Sequence, residues 1–362
     1  MVAPIDHRQP HCRAFERPRR SDPAESAADD HDMLVRIHDN DRSGPLKAER
    51  ILLSAALVSA KVMGLLMNAI LLVDKPAGIS SAEVVRRVKS RVKPARVGHL
   101  GTLDPFATGL LPIMIGEATK LAPFIDGGDK EYAGLIRLGV ETDTLDRDGA
   151  EVRRAELPAI SPEKLAQVTA QFTGAIEQVP PVYSAIKRAG VPLYRLARRG
   201  DDVAPAEKRS VEIKRLELVC GAPDAIRFVA TCSPGTYARS LARDIGVALG
   251  TVAHLDELRR TRNGTFSIAD AMPLADVLAS LDSGSPLRLI SLRDALVGVP
   301  ELVIDTTAEK RLRNGDSRAL DSQVPTGDPR FKVISESGEL IAVARATSRV
   351  TAIVERIFNL DA

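Results

Sequence analysis

The chain contains no tryptophan, and aromatic residues make up only 3% of its 362 residues. Its hydrophobic core must therefore be built mainly from alanine, valine, leucine and isoleucine. Cysteine is also scarce, and Cys12, Cys220 and Cys232 have neither the spacing of a zinc site nor the density of a disulfide scaffold. This cysteine usage is typical of a protein of the reducing cytoplasm, where we expect this chain to reside.

An excess of charge of one sign is also lacking, because 50 lysines and arginines accompany 48 aspartates and glutamates. No global basic field exists to attract a nucleic acid, so such a partner would have to contact local patches. The nearest approach to a long apolar run, residues 51–72, is interrupted by Lys61 and Asn68. It falls short of the about 20 apolar residues of a transmembrane helix, so we expect no membrane partner.

The composition divides the chain into three parts. Residues 1–66 carry ten basic and ten acidic side chains and predict a disordered extension that ends before Met67. Residues 67–290 interleave strands and helices irregularly, which is typical of an α+β fold. Residues 291–362 predict a small β-rich domain. We expect a helix over residues 288–299, where this domain begins. We expect a chain that begins at Met67 to be as soluble and active as the full chain.

The most informative segment runs from Gly98 to Pro112 and reads GHLGTLDPFATGLLP. It contains one carboxylate, Asp104, among glycines that permit tight turns, and Pro105 disfavours a helical conformation at that carboxylate. An acid on a rigid loop, five residues after His99, is one way for a chain to present a nucleophile. A turn in which Asp104 merely caps a helix is an equally good interpretation of these residues alone.

A second acidic segment contains Asp143, Asp146 and Asp148 next to a glycine. A calcium loop of the EF-hand type would also need a bidentate glutamate at its end, and that glutamate is missing. We therefore interpret the segment as a polar turn and expect no metal site.

The Asp104 segment closely resembles the catalytic motif of the TruB-type tRNA pseudouridine synthases. Matching segments follow in the same order as in that family: Asp129–Tyr132, Pro180–Lys187 with Leu193–Arg198, Cys232–Gly246, and Ala253–Thr261. The resemblance covers residues from about 68 to 275. Two departures are Pro234, where a lysine is frequent, and Ala238, where an isoleucine is usual. Pro234 removes a cation that could contact RNA.

The resemblance implies an α+β catalytic domain with a mixed, mainly antiparallel sheet flanked by helices, followed by a PUA-like RNA-binding domain. It implies conversion of uridine 55 in the TΨC arm of tRNA to pseudouridine. Asp104 is then the nucleophile and Arg239 the arginine that pairs with it. The substrate-binding residues are Tyr132 and Tyr237 at the flipped base, His99 at the nucleotide or the space it vacates, and Leu258 closing the pocket.

The expected chemistry exchanges a glycosidic C–N bond for a C–C bond and therefore needs no metal or redox cofactor. It needs a nucleophile, a pocket that retains the detached uracil, and a group that moves a proton. A stacked uridine must also be flipped out, which costs a few kcal/mol. We expect tRNA as the partner, with no obligatory protein partner.

Three other functions fit part of the pattern. The catalytic subunit of a guide-RNA pseudouridylation particle shares the aspartate motif, although this chain lacks long lysine-rich tails. A non-catalytic tRNA-binding or tRNA-folding protein would not need Asp104, Tyr132, Tyr237 and Arg239 together. A hydrolase with an aspartate nucleophile, such as a glycosidase, typically needs a second carboxylate, and none accompanies Asp104 in its motif.

Overall fold

The computed structural model describes residues 56–58, 68–125, 127–184, 186–188, 190–193, 199, 204, 206–320, 330–348 and 351–360. They all fall in one structural unit, residues 1–12 and 54–362, whereas the other unit, residues 13–53, lies outside the described residues. The helices among them are α1 Ser81–Lys89, α2 Ala122–Ile125, α3 Pro162–Gln171, α4 Ala238–Leu249, α5 Leu274–Ser283, α6 Leu292–Ala295 and α7 Thr306–Arg313. Short 3-10 helices cover Gly116–Leu121, Ile268–Asp270 and Ser317–Leu320.

The strands are β1 Ala56–Val58, β2 Ala69–Lys75, β3 Val97–His99, β4 Thr108–Ile115, β5 Lys130–Leu138, β6 Val140–Thr142, β7 Glu151–Arg154, β8 Gly174–Gln178, β9 Lys187–Arg188, β10 Val191–Pro192, β11 Arg209–Ala222, β12 Ala225–Cys232, β13 Ala253–Asn263, β14 Phe266–Ser267, β15 Met272–Pro273, β16 Leu287–Ile290, β17 Glu301–Ile304, β18 Arg330–Ser335, β19 Leu340–Ala346 and β20 Ala352–Ile357.

Within the described part of the chain, twelve strands form one large sheet. Its main path runs β1–β16–β2–β4–β13–β5–β12–β11–β8, and β3, β14 and β15 pair with β4, β13 and β2. The β13–β4 and β15–β2 pairs are parallel, and the other pairs are antiparallel. This sheet with its flanking helices confirms the predicted α+β class.

Strand β4 lies in the interior of the sheet, and its residues after Thr108 are all buried. A strand buried on both faces reads as a continuous apolar run, which explains why this segment shows no alternation. Helix α1 covers one face and contributes Val84 and Val88 to the core. It begins where the Ser80 hydroxyl accepts a hydrogen bond from the Glu83 amide at 3.1 Å, which caps the helix.

The predicted helix over residues 288–299 is wrong. Residues Leu287–Ile290 form β16, and the helix that follows, α6, is only one turn long. Leu289 and Ile290 pair with Leu71 and Ile70 of β2. The available strand partner therefore outweighs the helical periodicity of this short apolar segment.

One edge of the large sheet is β1, which lies within the segment expected to be a disordered extension. Its register with β16 is antiparallel and pairs Ala56 with Leu289 and Val58 with Leu287. The boundary expected at residue 67 therefore leaves out one strand of the sheet. The remaining residues of the expected extension, 1–55 and 59–66, lie outside the described residues.

This pairing modifies the expected behaviour of a chain that begins at Met67. Removing β1 exposes the backbone of β16, so we expect the melting temperature to fall by a few degrees. Turnover should stay within about twofold, because β16 and β2 separate β1 from the strands that carry the candidate site. Calorimetry and turnover assays on chains that begin at Met67 and at Ser54 test this. A large loss of turnover from the shorter chain alone would contradict it.

The C-terminal part forms a separate four-stranded sheet with the order β17–β18–β19–β20. Helix α7 contributes Ala308 and Leu312 to a second core, which also includes Phe331 and Ile341. The chain end returns to the large sheet, where the Asn68 amide donates to the Leu360 carbonyl at 3.2 Å. No helix among the described residues has both the length and the apolar character needed to cross a bilayer.

Candidate active site

Asp104 lies on the loop between β3 and β4, and the backbone of that loop is fixed from several sides. The Ser81 hydroxyl accepts a hydrogen bond from the Leu103 amide at 2.8 Å and donates to the Leu103 carbonyl at 2.9 Å. The Gly78 amide donates to the Pro105 carbonyl at 2.9 Å. Asp104 is therefore held by hydrogen bonds on both of its neighbours.

Arg260 on β13 lies beneath this loop and is fully buried. Its Nε donates to the Leu110 carbonyl at 2.8 Å and its NH2 to the Gly101 carbonyl at 2.9 Å. The backbones approach so closely that a Cβ on Gly109 would lie 2.4 Å from the Arg260 carbonyl oxygen. Gly109 also has a φ of +99°, so only glycine fits there.

Lys75 is a second fully buried cation under the loop. Its Nζ donates to the carbonyls of Ile79 and Pro105 at 2.8 and 3.2 Å. Burial lowers the pKa of Lys75 to about 8, with Asp104 acting to raise it and Arg260 to lower it further. Both buried cations therefore bind the backbone that presents Asp104.

The Asp104 carboxylate pairs with Arg239 in the first turn of α4. Arg239 Nε lies 2.9 Å from Oδ2, and its Nη2 donates to Oδ1 at 3.2 Å. This two-point contact aligns the carboxylate as well as neutralising it. The Arg239 side chain is only 6% exposed, whereas that of Asp104 is 33% exposed, so one face of the acid remains open to a substrate.

Arg239 is itself held by three further groups. It donates to the Thr144 carbonyl at 2.9 Å and to the Tyr183 carbonyl at 2.8 Å, and it lies 3.6 Å from the buried Asp146 carboxylate. Burial raises the pKa of Asp146, against the opposing effects of Thr144 and Arg239. The guanidinium is thus fixed between the acidic turn and the Asp104 carboxylate.

Asp146 is the residue of this network that the sequence analysis assigned to a polar turn rather than to the site. Its carboxylate accepts hydrogen bonds from the Thr144 hydroxyl at 2.6 Å and the Asp148 amide at 3.1 Å. The preceding residue, Leu145, is buried with a φ of +62°, a conformation that costs energy for a branched side chain. This turn is more than a polar connection, because its strained backbone brings a carboxylate to Arg239.

No group of three or more potential metal-binding side chains occurs among the described residues.

The two tyrosines predicted to bind the base approach from different elements. Tyr132 lies buried on β5, and burial raises its pKa, opposed by the nearby Arg260 guanidinium. Tyr237 is half-buried at the N-terminus of α4, two residues before Arg239, and the Arg209 guanidinium lies 5.9 Å from its ring centre. Each tyrosine therefore lies near an arginine, and Tyr132 shares Arg260 with the Asp104 loop.

His99 and Leu258 lie on strands bordering the loop rather than in the ion pair. His99 is half-buried on β3, paired with Ile113 of β4. Leu258 is buried on β13, and its carbonyl accepts a hydrogen bond from the Thr108 hydroxyl at 3.4 Å. Another histidine of this part, His254, is buried with its Nδ1 2.9 Å from the Val140 carbonyl.

Comparison with known proteins gives matches along most of the chain. Residues 89–238 match the TruB family pseudouridylate synthase N-terminal domain, and residues 239–299 match the tRNA pseudouridylate synthase B C-terminal domain. The tRNA pseudouridine synthase B of Geotalea uraniireducens is 38% identical over 315 residues, covering 82% of this chain and 99% of the relative. That of Aromatoleum aromaticum is 44% identical over 241 residues, covering 66% and 77%.

A solved structure confirms the fold independently. A chain in the crystal structure of a Cbf5–Nop10–Gar1 complex superposes with a TM-score of 0.61 at 23% identity, covering 89% of this chain and 92% of that chain. At this level of identity the likeness establishes the architecture alone. The sequence matches go further: this chain belongs to the TruB family of pseudouridylate synthases.

Proposed function

We propose that this protein is a cytoplasmic enzyme that isomerises uridine 55 in the TΨC arm of tRNA to pseudouridine, with Asp104 as the nucleophile. The observation that carries this proposal is the Asp104–Arg239 pair. The buried arginine binds one face of the Asp104 carboxylate, and the other face is open. Relatives similar to this chain over most of their length are tRNA pseudouridine synthases B.

The reaction needs an ionised carboxylate that is held still while the base detaches and rotates. Asp104 attacks either the ribose or the base ring, and the glycosidic N1–C1′ bond breaks. After the uracil has turned, a C5–C1′ bond forms and the bond to Asp104 breaks. C5 then loses its proton to a base and N1 takes up a proton, which completes the isomerisation. Arg239 compensates the charge of the carboxylate and directs it through two contacts. Unlike hydrolysis by a typical glycosidase, this reaction does not require a second carboxylate beside Asp104.

The flipped uridine needs a binding site that replaces its stacking in the tRNA arm. Tyr132 and Tyr237 supply ring faces and hydroxyl groups for the base. His99 would contact the nucleotide or fill the space it leaves, and Leu258 would close the pocket with its backbone and apolar side chain. These roles are the ones that the resemblance to the TruB family implies for these positions.

Helix α1 and its continuation offer a local basic patch for RNA phosphates. Arg86 and Arg87 both bind Glu83, which leaves them partly neutralised. The exposed side chains of Lys89, Lys93 and Arg96 have no carboxylate partner in the described part of the protein. Cations of this kind are available to replace counterions on a tRNA backbone.

The direct test is incubation of the purified chain with an unmodified tRNA transcript, followed by carbodiimide treatment and reverse transcription. We expect one pseudouridine stop, at position 55, and none on a transcript that carries cytidine there. Tight binding without a stop would instead support a tRNA-folding protein. Activity that requires an added guide RNA and partner proteins would support a subunit of a guide-RNA particle.

We also propose that the C-terminal sheet, β17–β20, is a PUA-like domain that strengthens tRNA binding and takes no part in the chemistry. It has its own core and contacts the catalytic part through residues such as Arg330, whose guanidinium lies 5.3 Å from the ring centre of Phe124. Deleting residues 300–362 should raise KM and flatten the salt dependence of binding, with kcat little changed.

Steady-state kinetics and binding at several salt concentrations measure this effect. The melting temperature must be checked in parallel, because the backbone amide of Asn359 also donates to Glu117, on the 3-10 helix that follows β4, at 2.9 Å. A collapse of kcat in a truncated protein that still melts cooperatively would place part of the active site in the C-terminal domain.

A further inference from the structure

Gln178, the last residue of β8, binds the backbone of Tyr237 on both sides. Its Nε2 donates to the Tyr237 carbonyl at 3.1 Å, and its Oε1 accepts from the Tyr237 amide at 2.8 Å. Gln178 is fully buried, so water does not compete for these bonds. A side-chain amide that matches one donor and one acceptor of the same residue fixes both the position and the tilt of that residue.

Tyr237 is a residue whose conformation needs such support. It precedes α4 with extended backbone angles, φ −104° and ψ 109°, and its side chain makes no capping hydrogen bond. Its carbonyl also accepts the first bond of the helix, from the Leu241 amide at 3.0 Å. The Gln178 amide therefore supplies the restraint that a capping side chain would otherwise give to the start of α4.

The same strand pair also reaches the Tyr237 ring. Arg209 on β11 is the register partner of Gln178, and its guanidinium lies 5.9 Å from the ring centre of Tyr237. A cation at this distance from an aromatic face is attracted to it. One cross-strand pair thus restrains the backbone of Tyr237 through Gln178 and its ring through Arg209.

We infer that Gln178 is a positioning residue of the candidate active site, which sets Tyr237 and, two residues later, the Arg239 guanidinium in the geometry needed for turnover. Gln178 acts through the Tyr237 backbone, and the inference rests on the proposed function. Its loss should lower the rate of the chemical step, because Tyr237 and Arg239 lose their geometry. It should leave tRNA binding intact, because Gln178 does not contact the proposed basic patch on α1.

Gln178→Ala tests this with Ser240→Ala as a matched control. The buried Ser240 hydroxyl joins the same two elements, donating to the Val179 carbonyl at 2.8 Å, without touching the Tyr237 backbone. With enzyme in excess over tRNA, Gln178→Ala should lower the single-turnover rate by about 10- to 100-fold at unchanged tRNA affinity. Ser240→Ala should lower the melting temperature and keep the rate within about twofold.

Gln178→Glu is the second variant and guards against a general packing defect. The ionised carboxylate still accepts from the Tyr237 amide but cannot donate to its carbonyl, whereas the protonated acid can do both. Burial raises the pKa of the introduced acid, so lowering the pH from 8 to 6 should raise the rate of this variant relative to that of the wild type.

The inference is overturned if Gln178→Ala melts at a lower temperature but turns over at the wild-type rate. It is also overturned if a folded Gln178→Glu protein shows a rate ratio that does not change with pH. Absence of pseudouridine formation by the wild-type chain on the tRNA transcript would be a different result, because it would remove the proposed function itself.

Discussion

Replacing Asp104 with asparagine should abolish pseudouridine formation, with a loss of the order of 10⁴-fold or more, and leave tRNA affinity within a few-fold. Asparagine keeps the size of the side chain and can still accept a hydrogen bond from Arg239, so the loop should hold its shape. It supplies no carboxylate to attack the substrate. Binding is spread over many phosphate contacts, whereas the chemistry depends on this one group. Single-turnover assays and filter binding measure the two effects separately.

Asp148→Asn is the matched control, because Asp148 is an exposed carboxylate in the acidic turn whose side chain lies outside the Arg239 network. Its turnover should equal that of the wild type. Persistent turnover by Asp104→Asn would exclude Asp104 as the nucleophile, provided that mass spectrometry shows no deamidation back to aspartate.

The Asp104 loop illustrates how far the sequence predicts the site. Glycines and Pro105 indicate a fixed, non-helical backbone around one acid, and the structure shows that backbone bound by Ser81, Lys75 and Arg260. The two buried cations were not predicted as supports, because a sequence does not show which carbonyl a distant side chain will reach.

Asp146 and Gln178 show the same limit for the positioning residues. The sequence alone indicates that Asp146 belongs to a solvated turn. Its contact with Arg239 depends on the left-handed conformation of Leu145 and on the position of α4. The sequence alone indicates that Gln178 is a polar residue at the end of a strand. Its hydrogen bonds to Tyr237 depend on where α4 begins. Both depend on contacts between segments far apart in the chain, which local propensity does not contain.

Replacing Arg239 with methionine should lower turnover by about 10³-fold, because Asp104 loses both hydrogen bonds that direct it. Arg239→Lys restores the charge but not the planar fork, so it should recover only a small part of the rate. A lysine variant with nearly wild-type turnover would show that charge alone is needed and that the two-point geometry is not. Single-turnover kinetics at saturating enzyme distinguishes these outcomes.

The methionine variant should also lose stability, and the loss should depend on pH. It leaves the buried Asp146 without its cation, at a cost of about 3 kcal/mol when the carboxylate is ionised. The pKa of Asp146 is already raised by burial with Arg239 present, and removing Arg239 raises it further. A group with a raised folded-state pKa favours folding when protonated, so this variant should melt closer to the wild type at pH 5 than at pH 8.

Adding Asp146→Asn to Arg239→Met separates stability from catalysis. The asparagine oxygen can still accept from the Thr144 hydroxyl, and no buried charge remains to be neutralised. The double variant should therefore regain most of the lost melting temperature and lose the pH dependence, yet stay inactive because Asp104 still lacks its arginine. Melting curves at pH 5 and pH 8, with turnover measured on the same samples, decide the matter. Equal pH dependence in the single and double variants would show that Asp146 is not the group that titrates.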